Sequence, residues 1–112
     1  MIRDPVRALR DETELEQILT APRVVLCKHS PRCGISSAAL LEVRHFAETH
    51  ADVPVYMVNV ITQQALSRTI ADRLGVRHAS PQAIVIRSGD AVWSASHFRV
   101  TAHAVEQAVA SA

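Results

Sequence analysis

Arg23-Val24-Val25-Leu26-Cys27-Lys28-His29-Ser30-Pro31-Arg32-Cys33-Gly34-Ile35-Ser36 holds the junction on which the fold turns. Its first part, Val24 to Lys28, is rich in β-branched and apolar residues, as a largely buried strand requires. From Gly34 the character changes. Ile35, Ala39, Val43 and Phe46 fall within one stripe of a helix over residues 34–49. Cys33 therefore stands where a strand hands over to the first turn of a helix. Unpaired N–H groups and the helix dipole favour negative charge there, which lowers a thiol's pKa and makes the thiolate available as a nucleophile.

Upstream, Val6 to Leu9 reads as a short edge strand, and Asp11 is placed to cap a helix over Glu12 to Leu19 that Ala21-Pro22 ends. Downstream, Val53 to Val60 is a second central strand. Thr62 is a candidate cap for a helix through Leu74, which Gly75 stops. Gln82 to Arg87 and Ala91 to Ser96 are strands joined by the hairpin signal Ser88-Gly89-Asp90, and Thr101 opens a last helix. The order (β)αβαβαββα implies parallel strands through right-handed crossovers, closed by an antiparallel hairpin. The expected class is α/β and thioredoxin-like: a mixed central sheet of four to five strands with helices on both faces, formed as a single domain over residues 1–112. Cys33 then projects at the carboxyl edge of the sheet.

With 112 residues the chain is long enough to bury a core without disulfide staples. A formal charge of +1 gives no whole-protein case for nucleic acid or an anionic membrane. Met1-Ile2-Arg3-Asp4-Pro5 puts an acid and a proline where a leader needs apolar residues, and no segment approaches a membrane span. The expectation is a soluble, cytoplasmic protein with neither nucleic-acid nor membrane partners. Two cysteines are too few for a secreted disulfide scaffold. Cys27, inside the strand, reads as a small buried apolar residue, with a reversible Cys27–Cys33 disulfide as the sharper alternative.

Arg23, Lys28 and Arg32 surround Cys33 with no acid between Gln17 and Leu41, so cationic neighbours are expected to stabilise the thiolate. Ser80-Pro81-Gln82 precedes a strand. In thioredoxin-like folds a cis-proline there lies against the active cysteine and leaves backbone groups free for an extended thiol-bearing substrate. Position 36, three after Cys33, is serine, so no second sulfur can resolve a mixed disulfide internally. Cys33 is expected to work as a monothiol that attacks a protein–small-thiol disulfide and is regenerated by a second small thiol. Ser36, one helical turn on, can offer its hydroxyl to the sulfur or simply cap and solvate the helix start. Of the six histidines, His45, His50 and His103 read as solvated helix positions. His29, His78 and His97 lie near the cysteine's edge. With Cys33 they have the donors of a His3Cys metal site, but the dispersed spacing forms no motif and no metal is expected. As protonated imidazoles they would tune the thiolate and bind an anionic substrate.

His29-Ser30-Pro31-Arg32-Cys33-Gly34-Ile35-Ser36, His78-Ala79-Ser80-Pro81-Gln82 and Ala91-Val92-Trp93-Ser94-Ala95-Ser96-His97-Phe98-Arg99-Val100-Thr101 together resemble the YtxJ-type monothiol bacilliredoxins, with patterns like Lys-His-Ser-x-x-Cys-Pro-Ile-Ser, Ser-Pro-Gln and Ala-Ser-His, over a stretch from about Leu9 to the C-terminus. The resemblance implies removal of bacillithiol from S-bacillithiolated proteins during oxidative stress, with bacillithiol as co-substrate and no resident cofactor. Partners would be those proteins and a low-molecular-weight thiol. It carries the nucleophile to Cys33 and the substrate-facing proline to Pro81. The substrate side is expected to comprise Ser80, Pro81, Gln82, His29, Arg32, Gly34, Ser36 and His97. Gly34 departs from the family's usual proline. Cys33-Gly34-Ile35-Ser36 consequently also resembles the site of monothiol glutaredoxins, whose iron–sulfur or metal carriage is the rival reading. The stretch after the proline strand lacks the glycine pair with which those proteins hold glutathione. An interaction module with an inert cysteine is the third.

Overall fold

Val24, Val25, Leu26 and Cys27 are all at most 1% exposed, so the strand they form is covered on both faces. The structure, a computed structural model, describes residues 4–112. Met1, Ile2 and Arg3, which enter the argument against a leader, lie outside the described residues. The chain runs β1 (Val6–Ala8), α1 (Glu12–Ile18), β2 (Arg23–His29), α2 (Gly34–Thr49), β3 (Val55–Asn59), α3 (Gln64–Leu74), β4 (Gln82–Arg87), β5 (Asp90–Ser96), a 3₁₀ turn (His97–Arg99) and α4 (Ala102–Ser111). The sheet order is β1-β3-β2-β4-β5, with β1, β3 and β2 parallel and β4 and β5 antiparallel to their neighbours. This is the thioredoxin-like α/β architecture, and β2, which leads to Cys33, lies at its centre.

Successive strand side chains point to opposite faces, and that alternation sorts the core into two layers. Val25 and Cys27 of β2, with Val55, Ala83 and Val85, pack against Ala39, Val43 and Phe46 of α2 and Val105 and Val109 of α4. Val24 and Leu26, with Val58, Ile84 and Ile86, pack against Leu15 and Ile18 of α1 and Leu66 and Ile70 of α3. The same alternation sends Lys28 toward the α1/α3 layer and His29 toward the α2/α4 layer.

Caps fix the starts of α1 and α4 and the end of α3 where side-chain chemistry predicts them. Asp11 accepts from the Glu14 N–H at 2.8 Å, and Thr101 accepts from Ala104 N–H at 3.1 Å. Gly75, at φ +65°, ends α3 in the left-handed conformation. Ser88 and Gly89, both at positive φ, form a two-residue turn, which leaves Asp90 paired with Arg87 in the ladder.

Four expectations need correction. Thr62 does not cap α3: Gln63 occupies that place, and the Asn59 side chain instead accepts from Ile61 and Thr62 N–H at 2.9 and 3.1 Å. An Asx turn has taken the role assigned to the threonine. β3 begins at Val55 rather than Val53, and Pro54 just before it serves only as an acceptor, from Val25 N–H at 3.0 Å. On α2 the buried stripe includes Ser36, while Ile35 is half-exposed. His50 is not simply solvated; its ring stacks on Phe46 at 4.2 Å, and its Nε2 lies 3.5 Å from Glu106.

Candidate active site

A turn closed by Cys33 N–H donating to Ser30 O at 3.1 Å leads from β2 into α2. Cys33 is the N-cap residue, extended at φ −112° and ψ 123°, and half-exposed. Its thiol pKa is lowered. The Ser36 N–H is the largest cause, followed by the Ile35 N–H; burial opposes them, and the Ser36 hydroxyl adds a smaller lowering. The thiol closes no regular capping bond. These donors are therefore left to act on the thiolate, to which hydrogen bonds are stronger than to a neutral thiol. Ser36 is fully buried, and its Oγ bonds to no other group of the chain among the described residues. That hydroxyl is left to the sulfur.

The cations expected to lower the thiol's pKa are placed elsewhere. Arg23 lies at the far end of β2 and donates to Ala112 O at 3.1 Å. Arg32 is exposed. Lys28 is fully buried in the α1/α3 layer, where it donates to Ser67 O at 3.1 Å and lies 3.0 Å from His78 Nδ1. The acidity of Cys33 comes from the helix start rather than from charge.

The three histidines do not gather. His29 is 9% exposed in the α2/α4 layer, its Nδ1 buried and without a partner among the described residues. Burial lowers its pKa, so its imidazole is neutral where a protonated one was expected. His78 reaches the opposite layer; burial, then the Lys28 charge, lowers its pKa as well. His97 is exposed, at φ +56°, and its N–H donates to Pro81 O at 3.1 Å. Among the described residues no three His, Cys, Asp or Glu side chains group as metal ligands would.

Cys27 and Cys33 are both free thiols. Burial pushes the Cys27 pKa up to about 12, so it is an inert apolar residue as expected.

Ser80–Pro81 is cis, and Pro81 is buried. β2 ends and β4 begins at the same sheet edge, so Cys33 and Pro81 share it. Ser80 Oγ and Gln82 Oε1 are buried without partners among the described residues. Gln82 pairs in register with Lys28, so its side chain belongs to the α1/α3 layer, where its Nε2 donates to Arg77 O at 2.9 Å. Only its backbone is at the level of Pro81. Gly34 is exposed, and a Cβ built on it would meet nothing within 4 Å, so no close approach demands glycine there. Sequence reasoning missed the Lys28–His78–Ser67 cluster, in which the exposed His78 meets a buried lysine and a buried serine. The signal was the alternation Val24, Leu26, Lys28, which puts a cation in line with two core residues.

The model of the monothiol bacilliredoxin BrxC family matches residues 7–105. The chain belongs to that family. Among solved structures it is similar to a candidate oxidoreductase with a thioredoxin fold, at 30% identity over 93% of each chain and a TM-score of 0.86. A variant thioredoxin from Halobacterium salinarum is 20% identical over 99% of this chain and 94% of its own, with a TM-score of 0.78. Fasciola hepatica thioredoxin is 18% identical over 94% and 97%, at 0.76. These last two show the fold alone. As a bacilliredoxin the chain has a thiol redox role. Among the described residues no helix is long and apolar enough to cross a membrane.

Proposed function

We propose that this bacilliredoxin removes bacillithiol from S-bacillithiolated proteins in the cytoplasm, with Cys33 as its nucleophile and no resident metal or cofactor. The observation that carries the reading is a single acidified thiol at the start of α2 with Ser36, not a second cysteine, one turn on. The Cys33 thiolate attacks the bacillithiol sulfur of the mixed disulfide. A Cys33–bacillithiol disulfide forms; the protein sulfur leaves with the bonding electrons and takes a proton from solvent. A second bacillithiol thiolate attacks the bacillithiol sulfur on Cys33. Bacillithiol disulfide departs and the Cys33 thiolate returns.

Around the sulfur, Ser36 and the Ile35 and Ser36 amides hold the thiolate. Ser80 and Pro81, with the Gln82 backbone, align the extended protein substrate, and the orphaned Ser80 Oγ supports that role because buried polar groups are seldom left unpaired. His29, whose Nδ1 is likewise orphaned, and the exposed Arg32 and His97 meet the small thiol. Gly34 leaves its approach open. Free cysteines at positions 27 and 33 suit a reducing compartment.

The test is intact-mass analysis of a bacillithiolated and a glutathionylated model protein, each incubated with the wild-type chain and with Cys33→Ser. Loss of the bacillithiol adduct with wild type alone is the expected result, and equal loss with the serine variant overturns the reading. A coloured preparation with charge-transfer absorbance would favour a cluster carrier instead.

A further inference from the structure

Lys28 is a fully buried lysine, and among the described residues it forms no salt bridge. Lysine is almost never fully buried unless paired, so its retention here calls for a use. Its partners are neutral: the Ser67 carbonyl of α3 at 3.1 Å and His78 Nδ1 at 3.0 Å. Ser67 Oγ also lies 3.2 Å from His78 Nδ1. A lysine has no acceptor when charged, so this contact makes Nδ1 the acceptor and keeps His78 neutral. Burial lowers the Lys28 pKa to about 8, which eases its place in the core.

His78 sits in the irregular stretch between Gly75 and the cis-proline. Other hydrogen bonds on that stretch are local: Val76 N–H to Ala71 O, and Gln82 Nε2 to Arg77 O. The contact from His78 to Lys28 spans 50 residues and ties the stretch to the central strand. Lys28 is also the cross-strand partner of Gln82, the residue after Pro81. The cluster thus underlies the proline segment from the face opposite Cys33.

We propose that Lys28 is a positioning residue which, through His78, fastens residues 76–80 so that Ser80 and Pro81 stand ready for the protein half of a mixed disulfide, without acting on the sulfur. The inference rests on the exchange reaction proposed above. It separates two roles within one motif: Cys33 reacts, and Lys28 sets the platform on which the protein substrate aligns.

Lys28→Met, His78→Ala and His78→Asn of the full chain test it, since asparagine Oδ1 replaces Nδ1 as an acceptor. Three measurements are made: amide hydrogen exchange of residues 76–80, KM and kcat on a bacillithiolated model protein, and Cys33 alkylation by iodoacetamide. Lys28→Met and His78→Ala are expected to speed exchange at 76–80 and to raise KM, each by about tenfold, with kcat and alkylation within about twofold of wild type. His78→Asn is expected to restore both. Unchanged exchange and KM in His78→Ala would overturn the proposal, as would slowed alkylation in Lys28→Met, which would make the lysine an electrostatic partner of the thiolate. Should Lys28→Met fold poorly, the two His78 variants decide. Should wild type leave the adduct intact, the proposed exchange reaction falls, while the hydrogen-exchange arm still judges the anchor.

Discussion

At the scale of single residues, Ser36 does more for the reactive sulfur than any cation nearby. It offers both its N–H and its hydroxyl from a fully buried position. Ser36→Ala keeps the N–H and removes the hydroxyl. The Cys33 thiolate loses a donor, so the pKa moves up and the fraction ionised at a fixed neutral pH falls. The alkylation rate plotted against pH should shift its midpoint to higher pH, with the fast plateau unchanged. An unmoved midpoint would mean the hydroxyl only fills space. The helix start at Gly34 was legible because it rests on local sequence, whereas the cis Ser80–Pro81 bond followed only from the thioredoxin-like pattern, since a cis bond needs tertiary support. Of the two sources expected for Cys33's acidity, the helix-start N–H groups were legible and the cations were not. Counting Lys28 as a neighbour of Cys33 treats nearness in sequence as nearness in space, and strand alternation sends that side chain through the sheet.

Among the elements, the turns test local chemistry most directly. α2 was legible from residue 34 to residue 49 because apolar spacing, a glycine start and the absence of proline agree. The start of α3 was not, because threonine and asparagine compete for the same turn and the sequence does not rank them. Asn59 holds two amides, whereas Thr62 has no capping role. Asn59→Ala should therefore cost about 0.5–2 kcal/mol in urea unfolding, as lost caps do. Thr62→Ala should stay within about 0.5 kcal/mol, as exposed substitutions do. Equal costs would refute the assignment. α2 carries a second test. Cys33 is extended, as a residue before proline prefers, and Gly34 has open space where a side chain would go. Gly34→Pro at the first helical position should stabilise the fold by about 0.4–1 kcal/mol by narrowing the unfolded ensemble. A lower urea midpoint would show that the Gly34 amide or its freedom is needed.

For the whole molecule, two adjacent residues of the central strand oppose each other in the response of stability to alkali. Cys27 faces one layer of the core and Lys28 the other. Burial raises the Cys27 pKa from 9.0 to about 12. Below pH 9 the thiol is neutral in both states and contributes no slope. Between pH 9 and 12 the unfolded chain releases its proton and the native chain holds it, so stability falls by about 1.4 kcal/mol per pH unit. Burial lowers the Lys28 pKa from 10.5 to about 8, which reverses the sign. Below pH 8 the native state carries the full penalty of a buried ammonium. From pH 8 to 10.5 the native amine loses its proton while the unfolded one keeps it, so stability rises with pH. In the overlap, pH 9 to 10.5, the contributions offset each other, and each substitution exposes the other's slope. Cys27→Ala should gain stability with rising pH across that window, relative to wild type. Lys28→Met should lose it. Urea titrations of the three proteins at several pH values within the window read this directly. Parallel curves would mean that both of these side chains meet water in the native state, and the two-layer core would then be open at its centre.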